Sequence, residues 1–170
     1  IKTTYCLLGR KGLFLCKITS KTFLKQINMT LEHKKNTLVE LGKFLSQFHL
    51  EKSTPNPDVL KNDLFYTSFL DLIELSQSHN GWYSPENVYF AINSWANALT
   101  KENLERWLSN YNFENTTPKT VGLVLAGNIP LVGFHDFISV LLSGHNVQVK
   151  TSSNDQMLLP FLANYLTSVE

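Results

Sequence analysis

The sequence contains no apolar run approaching the roughly 20 residues that a membrane-spanning helix needs, so none is expected. Cysteine is scarce. Cys6 and Cys16 are the two thiols, with no Cys-x-x-Cys and no clustered histidines, which argues against a disulfide scaffold and gives no metal site. Neither Gly-x-Gly-x-x-Gly nor Gly-Lys-Ser/Thr occurs, so two common phosphate-cradling fingerprints are missing. Net charge is close to zero, +1 over 170 residues, and no basic stripe points to a nucleic-acid partner. What is present is 43% apolar and 12% aromatic residues, enough to build a core, in a chain whose default compartment is the reducing cytoplasm.

Acid is missing from one region in particular. Residues 1–28 hold Lys2, Arg10, Lys11, Lys17, Lys21 and Lys25 with no Asp or Glu, leaving 9 basic against 14 acidic side chains in the remainder. Three readings of this basic leader stand side by side. It forms a β-hairpin, with "YCLL" and "LFLC" flanking Gly9-Arg10-Lys11-Gly12. It is a targeting or membrane-surface segment, which one Arg and no clear amphipathic helix support poorly. Or it is non-native sequence ahead of a start at Met29, where the composition changes abruptly.

Residues 29–114 read as a helical segment. Leu38, Leu41, Phe44, Leu45 and Phe48 recur at helical spacing and predict a helix over 31–52. "STPNPD" (53–58) breaks it with two prolines. A second helix is expected over 63–78, with Phe65, Phe69, Leu72 and Ile73 on its buried face and Gly81 as a left-handed C-cap. Ser84-Pro85 is a helix start, a capping hydroxyl followed by proline, and that helix runs to 99. Thr100 caps a fourth helix carrying Leu104, Trp107 and Leu108. The aromatics read as core packing, since Trp82, Trp95 and Trp107 lack the basic surroundings of a base-stacking platform.

After the linker "NTTPKT" the pattern changes. "VGLVLA" (121–126) is apolar and β-branched, the signature of a strand covered on both faces. A helix is expected over 131–142, with Leu131, Phe134, Ile138, Leu141 and Leu142 inward and Gly144 closing it. "NVQVK" (146–150) is a second strand. The last helix is expected over 154–167, although a Ser153–Gln156 capping box would leave Pro160 inside it. Strand, helix, strand, helix over 119–170 predicts an α/β fold with a parallel sheet following the helical part.

Ligands of such a sheet gather outside the carboxyl ends of its strands, at Ala126-Gly127-Asn128 and at Lys150–Ser153. Gly127 lets a ligand approach the backbone closely. Asn128 offers an amide donor of the type that holds a developing oxyanion. Lys150 supplies a cation, and Ser152 and Ser153 supply hydroxyls at a helix N-terminus. The structural alternative has Asn128 and Ser153 merely capping helices. His135 and Asp136, about 100° apart as helix neighbours, are not expected to face each other, whereas His135 and Ser139 share a polar face. Glu102 and Glu105 read as solvated charges beside Arg106.

The stretch "VGLVLAGNIPLVGFHDFISVLLSGHNVQVKTSSNDQMLLPFLANYL", with "WYSPENVYFAINSWANALTKENLERWLSNY" upstream, resembles the acyl-CoA reductase family related to the fatty-acyl-CoA reductase of bacterial bioluminescence. That family lies within the aldehyde dehydrogenase superfamily. The strand, the Asn-x-Pro turn, the helix, "SGH" and "VKTSS" occur in order, and the likeness covers Met29 to Glu170. It implies a Rossmann-like, aldehyde-dehydrogenase-like cofactor domain whose first β-α-β-α unit is residues 119–170. It also implies NADPH-dependent reduction of an acyl-CoA, or another acyl thioester, to an aldehyde through a cysteine-bound acyl intermediate.

By the same resemblance Asn128 matches the family's oxyanion donor and Lys150 its contact near the adenosine ribose. Ala126, Gly127, Ser152 and Ser153 fall along the cofactor. Ser153 stands where NAD-preferring members often have Glu, which suits a 2′-phosphate. The chain departs from the pattern at Gly127, where many members have an aromatic residue, so that the pocket wall must differ. It departs again in its cysteines, which precede the cofactor motifs whereas the family's nucleophile follows them. The expectation is therefore a truncated N-terminal part, inert by itself. A homo-oligomer and partner subunits of an acyl-reducing complex are both compatible with the resemblance. A regulatory or assembly module with the same fold, and an oxidative aldehyde dehydrogenase, are the competing readings.

Overall fold

A computed structural model describes residues 30–113 and 117–170, and the backbone of two residue pairs in the leader. Those pairs, β1 (Cys6–Leu7) and β2 (Leu13–Phe14), run antiparallel with Cys6 opposite Phe14, the pairing a hairpin requires. The turn between them and the rest of the leader lie outside the described residues, as does part of the linker at 114–116.

Four helices follow: α1 (Leu31–Leu45), α2 (Asn62–His79), α3 (Pro85–Ala98) and α4 (Lys101–Leu108). Three begin on side-chain caps, Thr30, Ser84 and Thr100, whose hydroxyls accept from the amides of His33, Asn87 and Asn103. α1 stops at Leu45 rather than at 52. Beyond it Gln47 is buried, and its side chain bridges the Phe44 carbonyl, the Asn56 amide and the Asn62 amide group, fastening the chain into a turn. Phe48 continues the apolar stripe from that turn and is fully buried. α2 ends because Asn80 is extended, at φ −139° and ψ 107°. Gly81 is not left-handed, contrary to expectation; among the described glycines Gly144 alone has positive φ, 82°, where it closes the next helix as predicted.

β3 (Thr120–Val124), α5 (Phe134–Leu142), β4 (Asn146–Lys150) and α6 (Leu158–Ser168) complete the chain. β3 and β4 are parallel, with Thr120 opposite Asn146 and Val124 opposite Lys150, and α5 provides the crossover. β3 is not covered on both faces: its ends are exposed, and Val124 is 49% accessible beside a single described neighbour strand. α5 starts at Phe134, three residues later than the apolar pattern suggests. Leu131, following Pro130, adopts left-handed φ 58°, a conformation costing a bulky residue about 1 kcal/mol, and Gly133 becomes the N-cap. Leu131 is nevertheless buried, delivered to the core by a turn.

α6 likewise starts late, with Met157 as N-cap, so the Ser153–Gln156 box is not formed. Pro160 then falls in the first turn, where its missing N–H breaks no helical bond.

One contiguous apolar core draws on all six helices and β4. Phe44 stacks on Tyr165 at 4.3 Å and Phe69 on Phe161 at 5.0 Å, joining α1 and α2 to α6. Trp95 meets Phe134 edge-on at 4.8 Å, joining α3 to α5. The helical part thus forms the wall on which the strand–helix unit rests.

Candidate functional site at the strand ends

β3 and β4 end together. The Leu125 amide donates to the Lys150 carbonyl at 3.0 Å, so residues 126–128 and 151–155 leave the sheet as adjacent turns. Gly127 lies directly against the second turn: a Cβ there would stand 2.7 Å from Ser152 Cβ and 3.2 Å from Asp155 Cβ. The missing side chain therefore makes room for Ser152, not for a ligand. Ser152 Oγ in turn accepts from the Asn154 amide at 3.2 Å, shaping its own turn.

Asn128 is exposed, and its amide makes no hydrogen bond among the described residues. Because α5 is capped at Gly133, the helix-cap explanation of Asn128 falls away. Ser153 does not cap α6 either; it is exposed, its hydroxyl 3.4 Å from Asn154 Oδ1. Ala126 is exposed. Lys150 is half-buried and enters none of the ion pairs among the described residues. Ile129 and Val132, 54% and 39% exposed, add an apolar rim on the Asn128 side.

Three residues that the sequence reading passed over hold this mouth together. Asn80 is 4% exposed, and its Nδ2 donates to the Gly127 carbonyl at 2.7 Å and to the Asn154 carbonyl at 3.1 Å. Its Oδ1 accepts from the Trp82 amide at 3.0 Å. Tyr83, 2% exposed, brings its hydroxyl to 3.5 Å from the Ile129 carbonyl and against the Asp155 carboxyl. Burial pushes the Asp155 carboxyl above the usual carboxylate range, while the Tyr83 hydroxyl and the Met157 amide draw it partly back. Its Oδ1 is buried with no hydrogen-bond partner among the described residues. The Tyr83 phenol is pushed strongly upward, first by burial and then by the charge of Asp155.

Gly81 marks only a helix stop, and Ser152 and Ser153 offer ligand-facing hydroxyls or a cap; nothing local marks Asn80 or Asp155. No local pattern could betray contacts made across 47 and 74 residues.

The remaining candidates lie apart from this chemistry. His135 Nδ1 and Asp136 Oδ1 are 3.7 Å apart, so these side chains do meet despite diverging from the helix axis. At 61% and 63% exposure the pair is screened by water and contributes little. Ser139 donates to the His135 carbonyl at 2.7 Å, within its own helix. Trp107 lies against the His135 ring at 5.5 Å, and Trp82 is 71% exposed. An apolar groove between Phe137, Val149 and Leu159 contains no titratable side chain and so offers no acid–base chemistry. Among the described residues no helix is long and apolar enough to cross a membrane.

No curated protein and no solved structure matches the chain significantly. The acyl-CoA reductase (LuxC) family profile matches residues 69–170, more than half of the chain, a stretch that contains Asn80, Tyr83 and both strand-end turns. The chain belongs to the LuxC acyl-CoA reductase family.

Proposed function

We propose that the mouth between the two turns faces the acyl group and the cofactor in an NADPH-dependent acyl-CoA reductase, which makes an aldehyde from an acyl thioester. The observation that carries this reading is the unpartnered, exposed amide of Asn128, four residues beyond Val124, whose register partner is Lys150. As a thioester carbonyl becomes tetrahedral its oxygen gains charge, and a fixed amide donor stabilises that charge more than the ground state.

The second turn fits a phosphorylated dinucleotide. Lys150 has no carboxylate partner among the described ion pairs, and the one acidic residue between 150 and 157, Asp155, is buried. Ser153 is neutral and exposed, so it adds no negative charge where a ribose phosphate would lie. Lys150, Ser152 and Ser153 would hold the ribose and its phosphate, with Ala126 and Gly127 alongside them at the end of β3, Gly127 packed against Ser152. When bound, NADPH supplies the hydride.

The acyl intermediate of this chemistry rests on a cysteine, and Cys6 and Cys16 both precede the matched segment. Residues 69–170 therefore act by binding and by stabilising charge, without supplying the thiolate.

The test is Asn128→Ala in the intact protein, assayed for acyl-CoA-dependent NADPH oxidation. Turnover is expected to fall by roughly 10²–10³-fold, the loss typical of one oxyanion donor. Unchanged turnover would overturn the reading.

A further inference from the structure

The segment from Asn80 to Tyr83 brackets Asn128. Asn80 holds the carbonyl of Gly127, in the peptide bond just before Asn128, and Tyr83 comes within 3.5 Å of the carbonyl of the following residue, Ile129, in its bond to Pro130. The same two side chains also touch the second turn, Asn80 at the Asn154 carbonyl and Tyr83 at the Asp155 carboxyl. The segment is itself closed by a hydrogen bond from the Tyr83 amide to the Asn80 carbonyl at 2.8 Å. Both residues are almost fully buried, whereas Trp82 between them points to solvent. Asn80 thus spends both hydrogens of one amide on two carbonyls that belong to different strand-end turns.

We infer that the Asn80–Tyr83 segment is a positioning clamp: it fixes the backbone on either side of Asn128 and locks the acyl-facing turn to the cofactor-facing turn. The inference rests on the role proposed for Asn128. Exposed turns at strand ends ordinarily fluctuate, and an amide donor is useful only when its direction is fixed before charge develops. Two buried hydrogen-bonding side chains fixed to the α2–α3 connection supply that direction. They also make the two turns move as one body, so that displacing either shifts both substrate and cofactor contacts.

The experiment uses the intact protein with Asn80→Asp, which keeps the shape and removes both donated hydrogens, and Tyr83→Phe, which keeps the ring and removes the hydroxyl. Each is made alone and combined with Asn128→Ala, and kcat and KM for acyl-CoA and NADPH are measured. Each single variant is expected to lower kcat by roughly 10–10²-fold, the scale of a misplacement of about 1 Å, with a smaller change in KM for acyl-CoA. In the Asn128→Ala background the same substitutions are expected to lower kcat by less than about twofold, because residues acting as one unit are not additive.

Losses that multiply in the double variants, or single variants with unaltered kcat, would overturn the clamp while leaving Asn128 its role. Normal turnover in Asn128→Ala alone removes the parent reading instead. Should Asn80→Asp fail to fold, the Tyr83→Phe cycle decides the matter on its own.

Discussion

Gly127 and Ser152 meet across the gap between the strand ends with no space for a methyl group: a Cβ on Gly127 would stand 2.7 Å from Ser152 Cβ and 2.8 Å from its Oγ. Gly127→Ala should therefore force the two turns apart and destabilise the fold by about 1–3 kcal/mol, the usual cost of overpacking. Adding Ser152→Gly in the same chain removes two of the three nearest atoms and should recover much of that loss. Denaturant midpoints of the parent, the single and the double variants check this.

Asp155 links the mouth to pH. Burial raises its carboxyl above 3.8, so the folded state holds that proton more tightly than the unfolded chain does. The resulting penalty on folding is absent at low pH. It grows as pH rises past 3.8 and is complete above the raised folded value. Asp155→Asn should thus be more stable than the parent at neutral pH, with an advantage that shrinks as pH falls toward 3.8. Thermal melts across that range test the sign; an advantage independent of pH would show that the carboxyl is not the cause.

Ser153 is exposed at the cofactor-facing turn and is committed only to a 3.4 Å contact with its neighbour Asn154. Ser153→Glu should leave the fold intact and weaken NADPH relative to NADH, because a carboxylate would oppose a ribose phosphate. The ratio of kcat/KM for the two cofactors is the readout. An unchanged ratio would place the phosphate elsewhere.

Phe69 is fully buried, with ring centroids 5.5 Å from Phe44, 4.9 Å from Phe48 and 5.0 Å from Phe161. Phe69→Ala should cost about 3–5 kcal/mol. Since the core is contiguous from α1 to α6, that loss should appear as one transition, monitored both by far-UV ellipticity and by tryptophan emission.

What the sequence disclosed depended on the range of the physics involved. The caps Ser84 and Thr100, the stripe of Leu38, Leu41 and Phe44, and the strand 146–150 are specified by residues within a turn or two of one another, and all were legible. The parallel pairing of the strands followed from the helix between them. Helix starts in the second half were misplaced because apolar pattern does not reveal backbone handedness. Leu131 carries the right hydrophobicity for the first turn of α5, yet it is left-handed.

Asn128 and Lys150 stood out by their place after strands. Asn80, Tyr83 and Asp155 did not, since a polar side chain's burial is decided by what folds over it from far along the chain.

The residue after Asn80 is a glycine, and an asparagine followed by glycine is the pairing most prone to cyclise onto the next peptide nitrogen and lose ammonia. In the folded protein both hydrogens of that amide are engaged and the side chain is sheltered from water, which protects it. Each unfolding event lifts that protection, and conversion to aspartate would replace a double donor with an acceptor facing two carbonyls. Chemical ageing of the unfolded chain would thereby become a ratchet, eroding activity with each cycle of heating even where refolding is otherwise complete.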